Sequence, residues 1–218
     1  MRTLAELIAT PDPAWPQVQS WIRDSKNPVE ILPADADRRA GALISAQVTL
    51  HSSLGAVIYE TGGLLIDNGW IRVLGSGSDR LPRSVPERNT GKTLSREEAP
   101  PPFLLVADDV LGGFFAINGG GLGSETGNVY YFATDTLEWE SLGRGYTDFL
   151  LWLFTGDLEM FYEPYRWNGW REEVSNIRGD EAFSIYPFLS AQGPSIELRS
   201  RRTVPIDELY KLHVDAGA

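Results

Sequence analysis

Carboxylates at predicted turns and strand ends are the first residues in this sequence that could do chemistry. Asp108 and Asp109 end the apolar run FLLVADD, Asp67 lies in a turn, and Asp157 and Glu159 follow a later apolar run. Paired carboxylates in different environments can act as acid and base, and several oxygens can hold a hard cation. Aspartates at turns more often cap the backbone or face water. The sequence therefore predicts no catalytic residue and no metal site, and a carboxylate enzyme is kept as the alternative.

Histidine and cysteine chemistry has little material in this chain. His51 and His213 are the two histidines, and there is no cysteine. Disulfides, thiolate zinc sites and cysteine nucleophiles are thereby excluded, and no nucleophile elbow or paired-histidine helix accompanies His51. We expect no cofactor.

The stretch FFAINGGGLGSETGNVYYF, residues 114–132, could cradle a phosphate or turn a hairpin. A dinucleotide fingerprint needs a third glycine at its sixth position and a helix after it. Counted from either possible start, the sixth position is Ser124 or Thr126, and the residues that follow are aromatic and β-branched, which is typical of a strand. The pattern predicts two antiparallel strands joined by a wide glycine-rich connection, without a bound nucleotide.

Three helices are predicted near the N-terminus. Thr3 and Glu6 have capping-box spacing, and Asp12 is followed by a proline, which favours the start of a second helix. A third helix is expected to begin near Asp35 or Asp37.

The middle of the chain predicts a mainly antiparallel central sheet from residue 56 to 141. AVIYE, GLLID and WIRVLG are short β-rich runs, and Asp67-Asn68-Gly69 is a strong hairpin signal. FLLVADD predicts a central strand, FFAIN and NVYYFA the next two, and a further short strand is expected around Trp139. Residues 75–102 carry much glycine, proline and charge but few apolar residues, so we expect a long loop.

C-terminal helices are expected to pack on one face of this sheet. YTDFLLWLF predicts a helix that is apolar all round and therefore buried. Shorter helices are expected after Asp157 and after Asn168, and a last one with Thr203 as its cap and Pro205 in its first turn.

Aromatic residues are concentrated in YEPYRWNGWREE. Trp167 and Trp170 lie there beside arginines, and these are residue types enriched at binding hot spots. The sequence predicts a partner-binding set of Asp108, Asp109 and Asn118 with these two tryptophans. The alternative is that the rings fill the seam between the helices and the sheet.

Charge and composition limit the classes of partner. The 218 residues are 42% hydrophobic and contain 30 acids against 19 bases, which gives a formal charge of −11. This balance opposes nucleic-acid binding and favours a basic partner. No apolar run approaches membrane-spanning length, and the N-terminus predicts a helix rather than a secretion signal. We expect a cytoplasmic protein with no membrane contact.

Several long strings, among them SLGAVIYETGGLLIDNGWIRVLGSGS, ADDVLGGFFAINGGGLG and GNVYYFATDTLEWESLGRGYTDFLLWLFTGDL, resemble a known bacterial family. That family is a domain of unknown function, number twenty-six twenty-five. The likeness covers nearly the whole sequence and implies no established activity or catalytic residue.

Residues 103–160 also resemble, by pattern, the SUKH superfamily. Their order is an acid-ended strand, glycine-linked aromatic strands and then YTDFLLWLF. Many members of that superfamily are immunity proteins that neutralise bacterial toxins, so this resemblance implies a basic protein partner such as a toxin. The three N-terminal helices and the 75–102 loop depart from its pattern.

These observations together predict one α+β domain over residues 1–218. The leading function is a non-enzymatic, immunity-like protein-binding module. The alternative is a small-ligand receptor or hydrolytic enzyme in which the 75–102 loop folds over Asp108, Asp109 and Asn118. A scaffolding domain with wholly internal aromatic residues is a third reading, and the sequence does not predict an oligomeric state.

Overall fold

The structure is a computed structural model that describes residues 1–92 and 102–215, and the side chains of all of these but residue 215. Within these ranges no helix combines the length and the apolar character needed to cross a bilayer. The chain forms an α+β fold with a seven-stranded antiparallel sheet and a separate two-stranded sheet. The predicted fold class is confirmed, and the expectation of one domain stays a prediction.

The N-terminal helices are α1 (Leu4–Ile8), α2 (Trp15–Arg23) and α3 (Ala36–Ala46). The capping box of Thr3 and Glu6 is confirmed, and Asp35 caps α3 by accepting from two backbone amides. The prediction that Asp12 caps α2 is wrong. That helix begins after Ala14 without a side-chain cap and carries its proline one position after its first residue.

Residues predicted as the first strand form helix α4 (Ser53–Glu60) instead. The Ser52 hydroxyl accepts a hydrogen bond from the Gly55 amide and so caps the helix. Six of the eight helical residues are buried. Burial in the core therefore overrides the β preference of the run AVIYE.

The main sheet has the strands in sequence order, β1 to β7. They are β1 (Val29–Pro33), β2 (Thr61–Ile66), β3 (Ile71–Leu74), β4 (Phe103–Asp109), β5 (Phe114–Asn118), β6 (Asn128–Ala133) and β7 (Glu138–Gly145). The sequence pattern missed β1, whose side chains do not alternate cleanly between buried and exposed. The sheet therefore starts well before residue 56.

One cross-strand row carries the polar centre of the molecule. Antiparallel pairing aligns seven residues on one face, in the order Glu30, Leu65, Arg72, Asp108, Phe114, Phe132 and Trp139. The opposite face packs on α4 and on α6 (Tyr146–Thr155), with the Phe115 and Phe149 rings 5.0 Å apart. Because neighbouring residues of a strand point to opposite faces, Asp108 and Asp109 enter different environments.

The segment predicted as a long loop is ordered by polar contacts in its described part. It contains α5 (Val85–Asn89), which Ser84 and Glu87 begin with a capping box. The buried Asn89 side chain donates to the Leu105 carbonyl and accepts from its amide at 2.8 Å in both cases. The prediction of a loop is wrong for residues 75–92, because Leu81 and Val85 are buried in the core and hydrogen bonds and ion pairs hold the rest of the segment. Residues 93–101 lie outside the described residues.

The C-terminal part continues with α7 (Leu158–Tyr162), α8 (Trp170–Asn176), β8 (Glu181–Tyr186), β9 (Ser200–Pro205) and α9 (Ile206–Tyr210). Helix α7 begins after Asp157 as predicted, and the Asp157 side chain caps it. Asn168 does not cap α8, since Gly169 holds that position with φ +82°. Thr203 lies inside β9, which pairs with β8, so α9 begins only after Pro205.

Helix α6 is amphipathic rather than buried all round. Thr147 and Asp148 are exposed on it, while Phe149, Leu153 and Phe154 are fully buried. The prediction of an all-apolar helix rested on residues 149–154 and left out the two polar residues near the start of the helix.

Strands β5 and β6 pair antiparallel, so the predicted hairpin is confirmed. Asn118, at the end of β5, organises the glycine-rich connection. Its Oδ1 accepts from the amides of Gly120 at 2.7 Å and Leu122 at 3.0 Å, and its Nδ2 donates to the carbonyls of Gly123 and Glu125. The connection is thus tied to one buried side chain.

Replacing this amide tests its structural role. We expect Asn118→Ala to lower the free energy of unfolding by about 1 to 2 kcal/mol, because it removes the hydrogen bonds that hold the glycine-rich connection to β5. Urea denaturation measures the change, and the exposed Asn168→Ala is the matched control, expected within about 0.5 kcal/mol of wild type. Equal stability of the two variants would contradict the assigned role.

Candidate functional site

A buried ion cluster joins β3, β4 and the segment before α5. The Arg72 Nε donates to Asp108 Oδ1 at 2.7 Å, and Arg83 donates to both Asp108 oxygens. Only 2% of Arg72, 8% of Arg83 and 1% of Asp108 is exposed. Two guanidinium groups therefore share one carboxylate in the interior.

Backbone carbonyls complete the coordination of the two arginines. Arg72 also donates to the carbonyls of Glu181 and Asp109, and Arg83 donates to the carbonyl of Gly179. Burial opposes the ionised form of Asp108, but the neighbouring guanidinium groups outweigh this effect and hold the pKa of Asp108 below its usual range. Since Asp108 stays ionised, the cluster carries one positive charge in excess.

Asp109 faces the opposite side of the sheet and is fully buried. Its Oδ1 accepts from the amides of Leu111 and Gly113 at 2.9 Å. Its Oδ2 accepts from the hydroxyls of Tyr131 at 2.7 Å and Tyr162 at 3.0 Å. Burial raises the pKa of Asp109 despite these hydrogen bonds. The carboxyl ties the β4–β5 turn to two tyrosines of the core.

The two predicted hot-spot tryptophans lie in the interior. Trp167 is 2% exposed and Trp170 5% exposed, and both rings pack on Trp70 at centroid distances of 5.7 and 5.0 Å. Arg166, ion-paired with Asp67, lies 4.4 Å above the Trp170 ring. The expectation of exposed aromatic rings is wrong here, because the rings fill the seam between α8 and the sheet.

The predicted partner-binding set is not brought together on one surface. Asp108 and Asp109 point to opposite faces, Asn118 holds the glycine-rich connection, and Trp167 and Trp170 belong to the aromatic cluster around Trp70. All five are buried. A binding role for these residues stays a prediction.

An open cleft lies beside the buried ion cluster, at the β1 edge of the sheet. Its volume is about 590 Å³. The floor is formed by Leu65 and Arg72, and the walls come from the start of β1, the β2–β3 turn, residues 79–82 and residues 171–180. Arg72 thus connects the cluster to solvent-accessible space.

Charged side chains line this cleft in unequal numbers. They are Arg72, Arg80, Arg171 and Arg178 against Glu30, Asp79 and Asp180. Arg80 pairs with Glu30, and Arg178 pairs with Asp180 at 2.9 Å. The lining thus holds four arginines and three carboxylates in a chain of net charge −11, and Arg72 is in addition paired with Asp108 beneath the cleft.

Sequence reasoning missed this cleft. One signal was present, because Arg72 interrupts the apolar strand WIRVLG, and a charge in a buried strand needs a partner. Its partner, Asp108, was considered only as a candidate site residue. The sequence held no indication that the two residues are paired across neighbouring strands.

His213 follows α9 and lines a second, very small cavity with Leu209 and residues of β8. Its Nδ1 is buried without a hydrogen-bond partner in the described part of the chain. Burial lowers the pKa of His213, although a hydrogen bond with the Gly112 backbone favours the charged form.

Within residues 1–92 and 102–215 no group of three or more histidine, aspartate or glutamate residues is placed to hold a metal ion.

Comparison with known proteins places the chain in a family. The family model described as protein of unknown function DUF2625 matches residues 4–209, and the chain belongs to this family. Uncharacterized protein YbfG of Escherichia coli K12 is 48% identical over 212 residues, which cover 97% of this chain and 95% of that protein. An uncharacterized protein of Haemophilus influenzae Rd is 40% identical over 215 residues, covering 99% and 90% of the two chains.

Removing the shared carboxylate tests the ion cluster. We expect Asp108→Asn to lower the free energy of unfolding by about 3 to 5 kcal/mol, because two buried guanidinium groups then lack a counter-charge. Urea is the denaturant, because guanidinium chloride is a salt and would itself screen the charges of the cluster. The partly exposed Asp180→Asn is the control, and a similar small loss for both variants would contradict the arrangement.

A pH series tests the environment of His213. Its folded-state pKa lies below the unfolded value, so its contribution is present above about pH 6.5 and is lost as pH falls. We expect wild-type unfolding free energy to drop between pH 7.5 and 5.5, and His213→Gln to show a smaller drop. Identical pH profiles for the two proteins would show that His213 does not titrate differently on folding.

Proposed function

We propose that this protein is a non-enzymatic binding protein whose cleft binds a small organic ligand through an anionic group. One observation carries the proposal: two buried arginines share one carboxylate beneath the cleft, and one of them, Arg72, forms part of its floor. A buried positive charge in excess is costly unless it is compensated. An anionic group on a ligand would supply that compensation.

The dimensions and lining of the cleft suit a small molecule. Its volume of about 590 Å³ falls in the range of ordinary ligand sites, about 300 to 1,000 Å³. Val29, Leu65, Val174 and Ile177 supply apolar lining, and the arginines supply a few placed polar groups. This combination of apolar walls and convergent donors is typical of ligand pockets.

The hydrolytic alternative finds less support at the residues on which it was based. Both oxygens of Asp108 accept from arginine, and both oxygens of Asp109 accept from backbone amides or tyrosine hydroxyls. A general base must reach the proton that it abstracts. These carboxylates are buried and engaged in holding the fold, which favours binding over catalysis in this region.

Calorimetric titration with glutarate and with inorganic phosphate, in chloride buffer of matched ionic strength, tests the proposal. We expect saturable binding of at least one of the two anions. Arg171→Gln should weaken it about fivefold, because this exposed arginine lines the cleft. Arg23→Gln removes the same charge from α2, outside the cleft, and should leave the affinity unchanged.

Two results would overturn the proposal. One is no saturable heat from either anion with the wild-type protein. The other is an equal loss of affinity in Arg171→Gln and Arg23→Gln, which would indicate a general charge effect rather than a site.

A protein partner is the second candidate function, favoured by the net charge of −11. Acidic surfaces attract basic proteins and speed their association. The SUKH-like pattern of residues 103–160 adds an immunity-like role, with a toxin as the basic partner, to this candidate. It uses the exposed acidic surface rather than the five buried residues first predicted.

Capture of partners from the native bacterium at low and at high salt tests this second candidate. We expect a basic protein that is retained at low salt and released at high salt, since exposed charges are screened. The absence of any salt-sensitive protein partner would count against it.

A further inference from the structure

Two charged side chains in the walls of the cleft have no oppositely charged partner in the part of the chain that the structure describes. Arg171 stacks on the Trp170 ring at 4.4 Å, and it makes no ion pair with the other described residues. Asp79 likewise has no cationic partner within residues 1–92 and 102–215. The remaining wall charges are paired as Glu30 with Arg80 and Asp180 with Arg178.

These two residues belong to different walls. Asp79 lies in the segment that precedes α5, and Arg171 lies at the start of α8. Arg72 lies between these walls, on the floor, and brings the excess positive charge of the buried cluster. Among the described residues, the cleft therefore offers a free cation at Arg171 and a free anion at Asp79, beside a buried cluster in which two arginines share one carboxylate.

We infer that the cleft binds a zwitterionic ligand with one ammonium group and two anionic groups, as in an acidic amino acid. This inference rests on the proposed function and names its ligand class. The ammonium lies against Asp79, one anionic group lies against Arg171, and the other lies over the buried cluster of Arg72 and Arg83. Leu65 and Val174 contact the methylene chain that joins the charged ends.

Charge complementarity selects this ligand over simpler ones. A dicarboxylate satisfies the two arginines but leaves Asp79 facing a like charge, which is unfavourable. A diamine would face the arginines with the same sign. The ammonium group therefore distinguishes the preferred ligand from a dicarboxylate, and Asp79 is the residue that recognises this group.

L-Glutamate and glutarate form the matched probe pair, because they differ only by the α-ammonium group. Calorimetric titration of the wild-type protein should give a dissociation constant for L-glutamate about threefold to fivefold lower than that for glutarate. Asp79→Asn should abolish this difference without weakening glutarate. Asp24→Asn, which removes an exposed carboxylate at the end of α2, should preserve the difference.

The outcomes separate the two proposals. Equal or tighter binding of glutarate by the wild-type protein, or an unchanged preference in Asp79→Asn, would overturn the zwitterion inference while leaving the anion site in place. Failure of both probes to bind would overturn both. Thermal unfolding of each variant without ligand checks that every protein is folded under the conditions of the titrations.

Discussion

The Asp108 carboxylate, shared by Arg72 and Arg83, is the constraint on which the rest of the structure depends. It joins two neighbouring strands to the segment before α5, and through the arginines it reaches the backbone at Gly179 and Glu181. Sheet, connecting segment and C-terminal part are thereby held at one buried point. The same contacts leave a positive charge beneath the cleft, so the element that orders the fold also gives the cleft its chemical character.

Interior polar groups organise this fold alongside apolar packing. Asp109 ties a turn to Tyr131 and Tyr162, while Asn118 ties a glycine-rich connection to the end of β5. Each of these side chains has its oxygen atoms occupied by partners within the chain. Buried polar groups that are fully hydrogen-bonded specify one arrangement, and unpaired ones would be costly. Because these groups are buried and fully bonded, they hold the architecture, whereas the proposed binding role rests on the accessible charges of the cleft.

The sequence predicted the local features of this structure better than the distant ones. The antiparallel pairing of residues 114–118 with 128–133 followed from aromatic runs around a turn, and the Asp67-Asn68 turn has the positive φ angles that its residue types allow. AVIYE became a helix because burial and a serine cap overrode local preference. The Arg83–Asp108 pair could not be predicted, since 25 residues separate its members and the segment between them looked like a loop.

A diffraction measurement tests the central claim most directly. Crystals soaked in selenate, a tetrahedral oxyanion with a strong anomalous signal, would locate bound anions without assumptions about the natural ligand. The account predicts an anomalous peak in the cleft within hydrogen-bond distance of the Arg72 or Arg171 guanidinium. Selenate peaks confined to other surfaces, with the cleft empty at the same concentration, would contradict it.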